Sequence, residues 1–386
     1  MFHTARPQDI IDGAITDVYF ERTMAVLRAK GINKRVKAEF IAKSLPGQWP
    51  WAVLAGLEEA LFLLKHLPVK VRAMQEGSVF YPYEPVIEIE GRYQDFCVYE
   101  TALLGLICQA SGIATKAARF KKLAGERLLI SFGARRMHPI LAPMIERNAY
   151  IGGCDGVSVV KSAELIREDP MGTMPHALII CFGSTLDAVK AYDEVLAPGI
   201  RRVALIDTFQ DEKFECLNIA EALGERLYAV RFDTPGSRRG NFYRILEEAR
   251  WELDLRGYRQ VKFYVSGGIR EEDVPGLNPL VDGYGIGTSI SDAPVVDFAM
   301  DIMEVEGQPL AKRGKWSGSK RVLSCSSCGM RKITPFETGE LPCPCGGAFR
   351  DELIPAMDNG RQLIDAPPPA ELRKRVLGNV KGLPLE

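Results

Sequence analysis

Residues 128–139 read LLISFGARRMHP, and the order of residue types in this stretch decides the fold class. Leu128 to Phe132 form a short, mostly apolar run that reads as a buried strand. Gly133 breaks it, and Arg135, Arg136 and His138 follow at once. In α/β folds, ligands gather at the carboxyl ends of parallel strands, in the loops leading to the next helix. Positions 133–138 therefore stand where such a fold places chemistry. An aromatic ring beside two guanidiniums suits a flat, negatively charged ligand, through stacking and a bidentate grip on carboxylate or phosphate. A strand end with ordinary surface arginines would read the same way, so the surrounding sequence has to decide.

Further along the chain, apolar runs of four to six residues recur: DGVSVV, ALIICF, RVALID, LYAVRF, KFYVSG and DGYGIG. Amphipathic, helix-like segments separate most of them. Buried strands alternating with helices predict parallel βαβ units. Their number, each run ending in Gly, Asp, Ser or Arg, favours an α/β barrel, with an open doubly wound sheet as the alternative. The strand ends supply a series of polar groups: Asp207, then Arg231 with Asp233, then Ser266-Gly267-Gly268, then Gly285-Ile286-Gly287-Thr288. Backbone N–H groups in glycine-rich turns that open helices bind phosphate. Carboxylates at such ends hold ribose hydroxyls or Mg²⁺ on a pyrophosphate. His176 is expected immediately before the strand ALIICF. It is one of four histidines, with His3, His66 and His138, and a single histidine is commonly a hydrogen-bonded structural residue.

Upstream, helical spacing over 51–67, an edge strand over 34–42 and strand-like pieces at 69–74, 85–89 and 93–98 predict a small α+β domain. A long helix from Glu100 to Phe120 bridges to the barrel. Downstream of 310 the character changes to the basic KRGKWSGSKR, followed by Cys325 and Cys328, then Cys343 and Cys345. Four closely spaced thiols, bracketed by glycine or proline, suit a tetrahedral structural zinc. The expected division is 1–122, an N-terminal α+β domain with the bridging helix; 123–309, the barrel; and 310–386, a small C-terminal zinc-knuckle module and tail.

The bulk composition narrows the function classes. The 386 residues are 46% hydrophobic and 26% charged, with a net charge of −1. No global field draws in nucleic acid or membrane, so any anion site has to be local. No secretory leader or run of 18 apolar residues is apparent, which predicts no membrane association. Nine cysteines, an odd number, fit a reducing cytoplasm.

The segments ITDVYF (15–20), SFGARRMHP (131–139), GGCDGVS (152–158), GTMPHALI (172–179), ALIDTF (204–209), VRFDTPG (230–236) and YGIGTS (284–289) together resemble nicotinate phosphoribosyltransferase, in the order of that family. The resemblance implies an N-terminal α/β domain on an irregular barrel and transfer of phosphoribose from phosphoribosyl pyrophosphate (PRPP) to nicotinate. It further implies Mg²⁺ travelling with PRPP, ATP as co-substrate, and a homo-oligomer with sites at the subunit interface. Tyr19, supplied by a neighbouring subunit, would cover the pyridine ring, and Phe132 would stack on its other face. Arg135, Arg231 and Arg136 would hold carboxylate and phosphates, with His138, Ser158 and Thr173 as further substrate contacts. Asp207 and Asp233 match acids near ribose and metal. Gly267, Gly268, Gly285, Gly287 and Thr288 match the 5-phosphate cradle, and His176 the phosphoryl-accepting histidine. Val159 stands where the family usually has Asn. Ser158, a neutral hydroxyl where nicotinamide-using relatives place an acid, favours a carboxylate ligand. Two alternatives stay open: quinolinate phosphoribosyltransferase, which shares the architecture and decarboxylates its substrate, and a zinc-ribbon nucleic-acid-binding module with a degenerate barrel.

Overall fold

The computed structural model describes residues 2–238 and 240–386. The chain forms two compact units. One comprises 1–115 with 294–386; the other comprises 116–293.

The second unit is built on a six-stranded parallel sheet. Its order is Gly156–Val157, Leu128–Ser131, Gly283–Ile286, Lys262–Val265, Leu227–Phe232 and Arg202–Leu205. The sheet curls as a half-barrel, open between its first and last strands, and this is the form the expected irregular barrel takes. All six strands run the same way, so their carboxyl ends share one rim. Leu129, Val230, Phe232, Phe263 and Val265 are fully buried, as strands covered on both faces require.

One expected strand is absent. ALIICF forms the helix His176–Phe182, with Pro175 before it and Gly183 in the left-handed region after it (φ 71°). Only Ile179 is buried in this helix. His176 is thus the first residue of a helix rather than the residue before a strand. DGVSVV shortens to the two-residue strand Gly156–Val157, and its last residues lead into the helix Val160–Ile166.

The first unit carries a seven-stranded antiparallel sheet. Its order is Gln308–Pro309, Phe298–Val305, Arg35–Ala42, Pro85–Arg92, Lys70–Ala73, Ile354–Asp358 and Arg361–Gln362. The stretch expected as an edge strand, 34–42, is therefore internal, because 298–305 returns to pair with it. The piece at 93–98 forms helical turns, Tyr93–Phe96 and Cys97–Tyr99. Residues beyond 310 contribute strands to this sheet, and the C-terminal tail is tied in where Trp51, wholly buried, donates its indole N–H to the Pro384 carbonyl at 2.6 Å. Phe40, Leu54, Phe80 and Phe96 centre the core.

The helix Glu100–Ala124 contains the division at 115/116. Together with the turns before it, it is apolar and long enough to cross a membrane. Its Ile107, Ala110, Ile113, Ala114 and Ala117 are buried within the protein instead.

A three-stranded sheet, Arg331–Pro335, Lys320–Cys325 and Phe349–Asp351, bears the cysteines. The basic segment ahead of it is not a free cationic patch. Lys312 pairs with Asp301 at 2.5 Å, Lys315 pairs with the same carboxylate, and Lys320 donates to Glu39 at 2.9 Å. Burial outweighs the lysine at Glu39 and pushes its carboxyl up to about 7.

Candidate active site

Two glycines let the rim close up. A Cβ on Gly285 would lie 2.3 Å from the Phe132 ring, so only glycine leaves room for that ring against the neighbouring strand. A Cβ on Gly133 would lie 2.5 Å from the Gly287 carbonyl oxygen, which fixes the loop after strand 128–131 against the loop after 283–286. Phe132 is half-buried. The Arg231 guanidinium sits 5.9 Å from its ring centroid, within cation–π range. Arg231 donates to the Thr173 hydroxyl, while its Nε is buried without a partner. Burial lowers the pKa of Arg231, Asp233 and Asp207 oppose this, and the nearby charge of Arg135 adds to it. Its unpartnered Nε leaves a buried donor for a ligand to meet.

Close enough to Arg231 to act on its charge lies a chain of polar contacts. The Asp233 backbone N–H donates to Asp207 Oδ2 at 2.8 Å. Asp233 Oδ1 accepts from the Ser266 hydroxyl at 2.6 Å, and its Oδ2 lies 3.4 Å from His176 Nε2. His176 Nδ1 is 3.0 Å from the Thr208 hydroxyl. Both imidazole nitrogens are thereby oriented, by a carboxylate on one side and a hydroxyl on the other. Burial raises the Asp207 carboxyl above its ordinary range, against the pull of His176 and of the Asp233 N–H. Asp207 Oδ1 is buried with no hydrogen-bond partner, so the donor set fits a divalent cation or a ligand hydroxyl. Gly267 and Gly268 both take positive φ (82° and 74°). Gly287 precedes the short helix Thr288–Ser291, whose first residue is exposed.

The structure thus gathers Phe132, Thr173, His176, Asp207, Arg231, Asp233 and the loops of Gly267–Gly268 and Gly285–Thr288 along one rim. Arg135 and Arg136 are exposed in the 3₁₀ turn that follows Gly133. His138 is engaged locally, its Nδ1 accepting from the Ile140 N–H at 3.3 Å. Ser158 is turned inward: its N–H and hydroxyl donate to Glu146 Oε1, both at 3.0 Å, and the Val159 N–H donates to Oε2 at 3.0 Å. Tyr19 belongs to the other unit, on the helix Val18–Ala29, and is 55% exposed. Thr208 and Glu146 escaped the sequence reading. Thr208 adjoins Asp207 in the sequence and could have been included with it, whereas Glu146, wholly buried on a helix, carries no local signal.

The four thiols of Cys325, Cys328, Cys343 and Cys345 lie within 4.8 Å of one another. Sulfur separations of 3.5 Å (Cys325–Cys345 and Cys343–Cys345) and 3.6 Å (Cys328–Cys343) approach the edge of about 3.8 Å expected for a tetrahedron with Zn–S near 2.3 Å. Four sulfurs gathered this closely fit a tetrahedral metal by geometry, and backbone N–H groups of Cys328 and Ser327 pull the Cys325 thiol down to about 6.

Comparison with known proteins agrees with this geometry. Family profiles described as quinolinate phosphoribosyl transferase, N-terminal domain and C-terminal domain, match residues 17–111 and 113–301. A nicotinate phosphoribosyltransferase of Mycobacterium tuberculosis is 29% identical over 425 aligned positions, covering 97% of this chain and 92% of that protein. The Bacillus subtilis enzyme of the same name is 26% identical, with 75% and 66% covered. Among solved structures, nicotinate-nucleotide pyrophosphorylase from Pyrococcus furiosus is 51% identical, with TM-score 0.97 and 98% of each chain covered. Human nicotinic acid phosphoribosyltransferase shares the fold at 22% identity and TM-score 0.74, with 95% of this chain and 93% of that one covered. With its rim of cations, carboxylates and glycine loops and these matches along nearly its whole length, the chain belongs to the phosphoribosyltransferase family of enzymes that the two profiles describe, and it is similar throughout to nicotinate phosphoribosyltransferases.

Proposed function

We propose that this enzyme joins nicotinate to PRPP, giving nicotinate mononucleotide and pyrophosphate. The observation that carries the reading is the meeting, at one rim, of a ring-and-guanidinium pair (Phe132 and Arg231) with the network of His176, Asp233 and Asp207. Phe132, held over Gly285, offers one face for the pyridine ring, and Arg231 with Arg135 supplies positive charge for carboxylate and phosphate. The pyridine nitrogen attacks C1 of the ribose as pyrophosphate leaves. Asp233 and Asp207 set negative charge beside the oxocarbenium-like sugar, and the Gly267–Gly268 and Gly287–Thr288 loops offer backbone N–H groups to the 5-phosphate. Mg²⁺ with PRPP would neutralise the leaving group, with Asp207 Oδ1 as the protein atom ready to face it. His176, oriented on both nitrogens, is the group for ATP to phosphorylate. A second copy of the chain would bring its Tyr19 over the ring; the exposure of Val18, Tyr19 and Val26 on one helix supports such an interface. Zinc held by the four cysteines would have a structural role, and the lack of a disulfide among the described residues is in keeping with a reducing, cytoplasmic setting.

Quinolinate phosphoribosyltransferase shares the architecture, which accounts for the profile match. The curated relatives cited above are named for nicotinate instead. The nucleic-acid reading loses its main support because Lys312, Lys315 and Lys320 are committed to Asp301 and Glu39. The test is product analysis with PRPP plus nicotinate, nicotinamide or quinolinate, each with and without ATP. Nicotinate mononucleotide from nicotinate, faster with ATP, is the expected result. Release of CO₂ from quinolinate as the main activity would overturn the reading, and ATP stimulation that survives His176→Ala would remove that histidine's role.

A further inference from the structure

Asp207 follows the strand Arg202–Leu205 with its two oxygens unequally served. Oδ2 accepts the Asp233 N–H at 2.8 Å and meets the Thr234 hydroxyl at 3.1 Å. Oδ1 is buried and has no partner in the protein. A bare carboxylate oxygen inside a fold is costly unless something outside the chain completes it. Thr234 is 7% exposed, and its hydroxyl also lies 2.6 Å from Glu212 Oε1. Glu212 opens the helix Glu212–Leu223. A purely structural hydroxyl usually finds a backbone carbonyl; this one sits between two carboxylates, one of which faces the site.

A threonine hydroxyl carries one proton and can donate to only one of the two at a time. Turned to Asp207, it gives Oδ2 a second donor and supports the charge of a largely buried carboxylate. Turned to Glu212, it releases that support. We propose that Thr234 and Glu212 are a positioning pair for Asp207. They hold the carboxylate so that Oδ1 alone is presented to a positively polarised group carried by the phosphoribosyl substrate, either a divalent cation or a ribose hydroxyl. The hydroxyl stays with Oδ2 when that group engages Oδ1, and Glu212, its other contact, keeps Thr234 in place beside Asp207. The inference rests on the proposed function for the identity of the substrate, and on geometry alone for the pair.

The test is calorimetric titration of the full-length protein with PRPP, with and without Mg²⁺, alongside steady-state kinetics with nicotinate. Thr234→Val keeps the shape and removes the hydroxyl. Its Kd and KM for PRPP should rise roughly tenfold, the scale of one hydrogen bond to a charged group, while kcat changes much less. Thr234→Ser should restore both. Glu212→Gln should give a smaller rise in the same constants. A rise seen only with Mg²⁺ assigns the cation to Oδ1, and an equal rise without it assigns the hydroxyl. Wild-type affinity in Thr234→Val, or a Thr234→Ser protein as impaired as the valine variant, overturns the pair. Should Thr234→Val lose its thermal transition, unchanged PRPP affinity in Glu212→Gln overturns it just as well. If the unmodified protein binds PRPP but makes no nicotinate mononucleotide, the proposed function fails while the binding comparison still decides the pair.

Discussion

Phe132 occupies its place because Gly285 has no side chain, and on the proposed function this close approach makes one glycine a determinant of nicotinate binding. Gly285→Ala would put a methyl group 2.3 Å from the ring, so the ring has to shift. Overpacking of this kind costs about 1–3 kcal/mol. KM for nicotinate should rise at least fivefold, with Kd for PRPP changing far less; equal losses in both would point to general disruption of the rim. A second single-residue effect concerns Glu100, at the start of the helix Glu100–Ala124. Burial, with Asp301 and Asp17 adding to it, pushes its carboxyl up to about 7. The folded state therefore holds this proton more tightly than the unfolded chain does. Its contribution to stability is complete below the ordinary carboxylate range and is lost as pH rises through 7. Glu100→Gln should flatten the fall in thermal midpoint between pH 5 and 8, by on the order of 1 kcal/mol once solvent screening is allowed for. An unchanged slope would reject the assignment.

At the scale of elements, the misreading of ALIICF has a definite cause. Six apolar residues fit a buried strand or a buried helical turn equally well, and periodicity cannot separate them over that length. The punctuation, Pro175 ahead and Gly183 behind, was the available signal for a helix. The strand at 35–42 was misplaced for a different reason: its second neighbour lies more than 250 residues further on, and no local pattern reports such pairing. Arg72 shows what that long-range assembly depends on. From the strand Lys70–Ala73 it reaches Glu88 Oε1 at 3.2 Å and Asp351 Oδ2 at 2.9 Å, and it donates to the Lys320 carbonyl at 3.2 Å. Arg72→Ala leaves buried Glu88 without its cation and should destabilise by about 3 kcal/mol. Urea unfolding measures this, and a loss under 1 kcal/mol would show that Ser319, which also donates to Glu88, suffices.

For the molecule as a whole, the cysteine cluster and the rim chemistry belong to different units. Chelation, or Cys328→Ser, should therefore lower the thermal midpoint by about 5 °C or more, the scale of 2 kcal/mol lost from a domain of some 200 residues. Turnover at low temperature should stay within a factor of two. Equal loss of stability and turnover would contradict the separation. The sequence by itself determined the parallel strands, the order of polar groups at their carboxyl ends and the four thiols, because each is written in a short run of neighbouring residues. Tertiary structure alone decided that Asp207 and Asp233 share an N–H, that Glu146 engages Ser158 and Val159, and that the chain beyond 310 completes a sheet begun at 35. Those outcomes depend on contacts between residues far apart in sequence, and their partners become visible only once the backbone has closed.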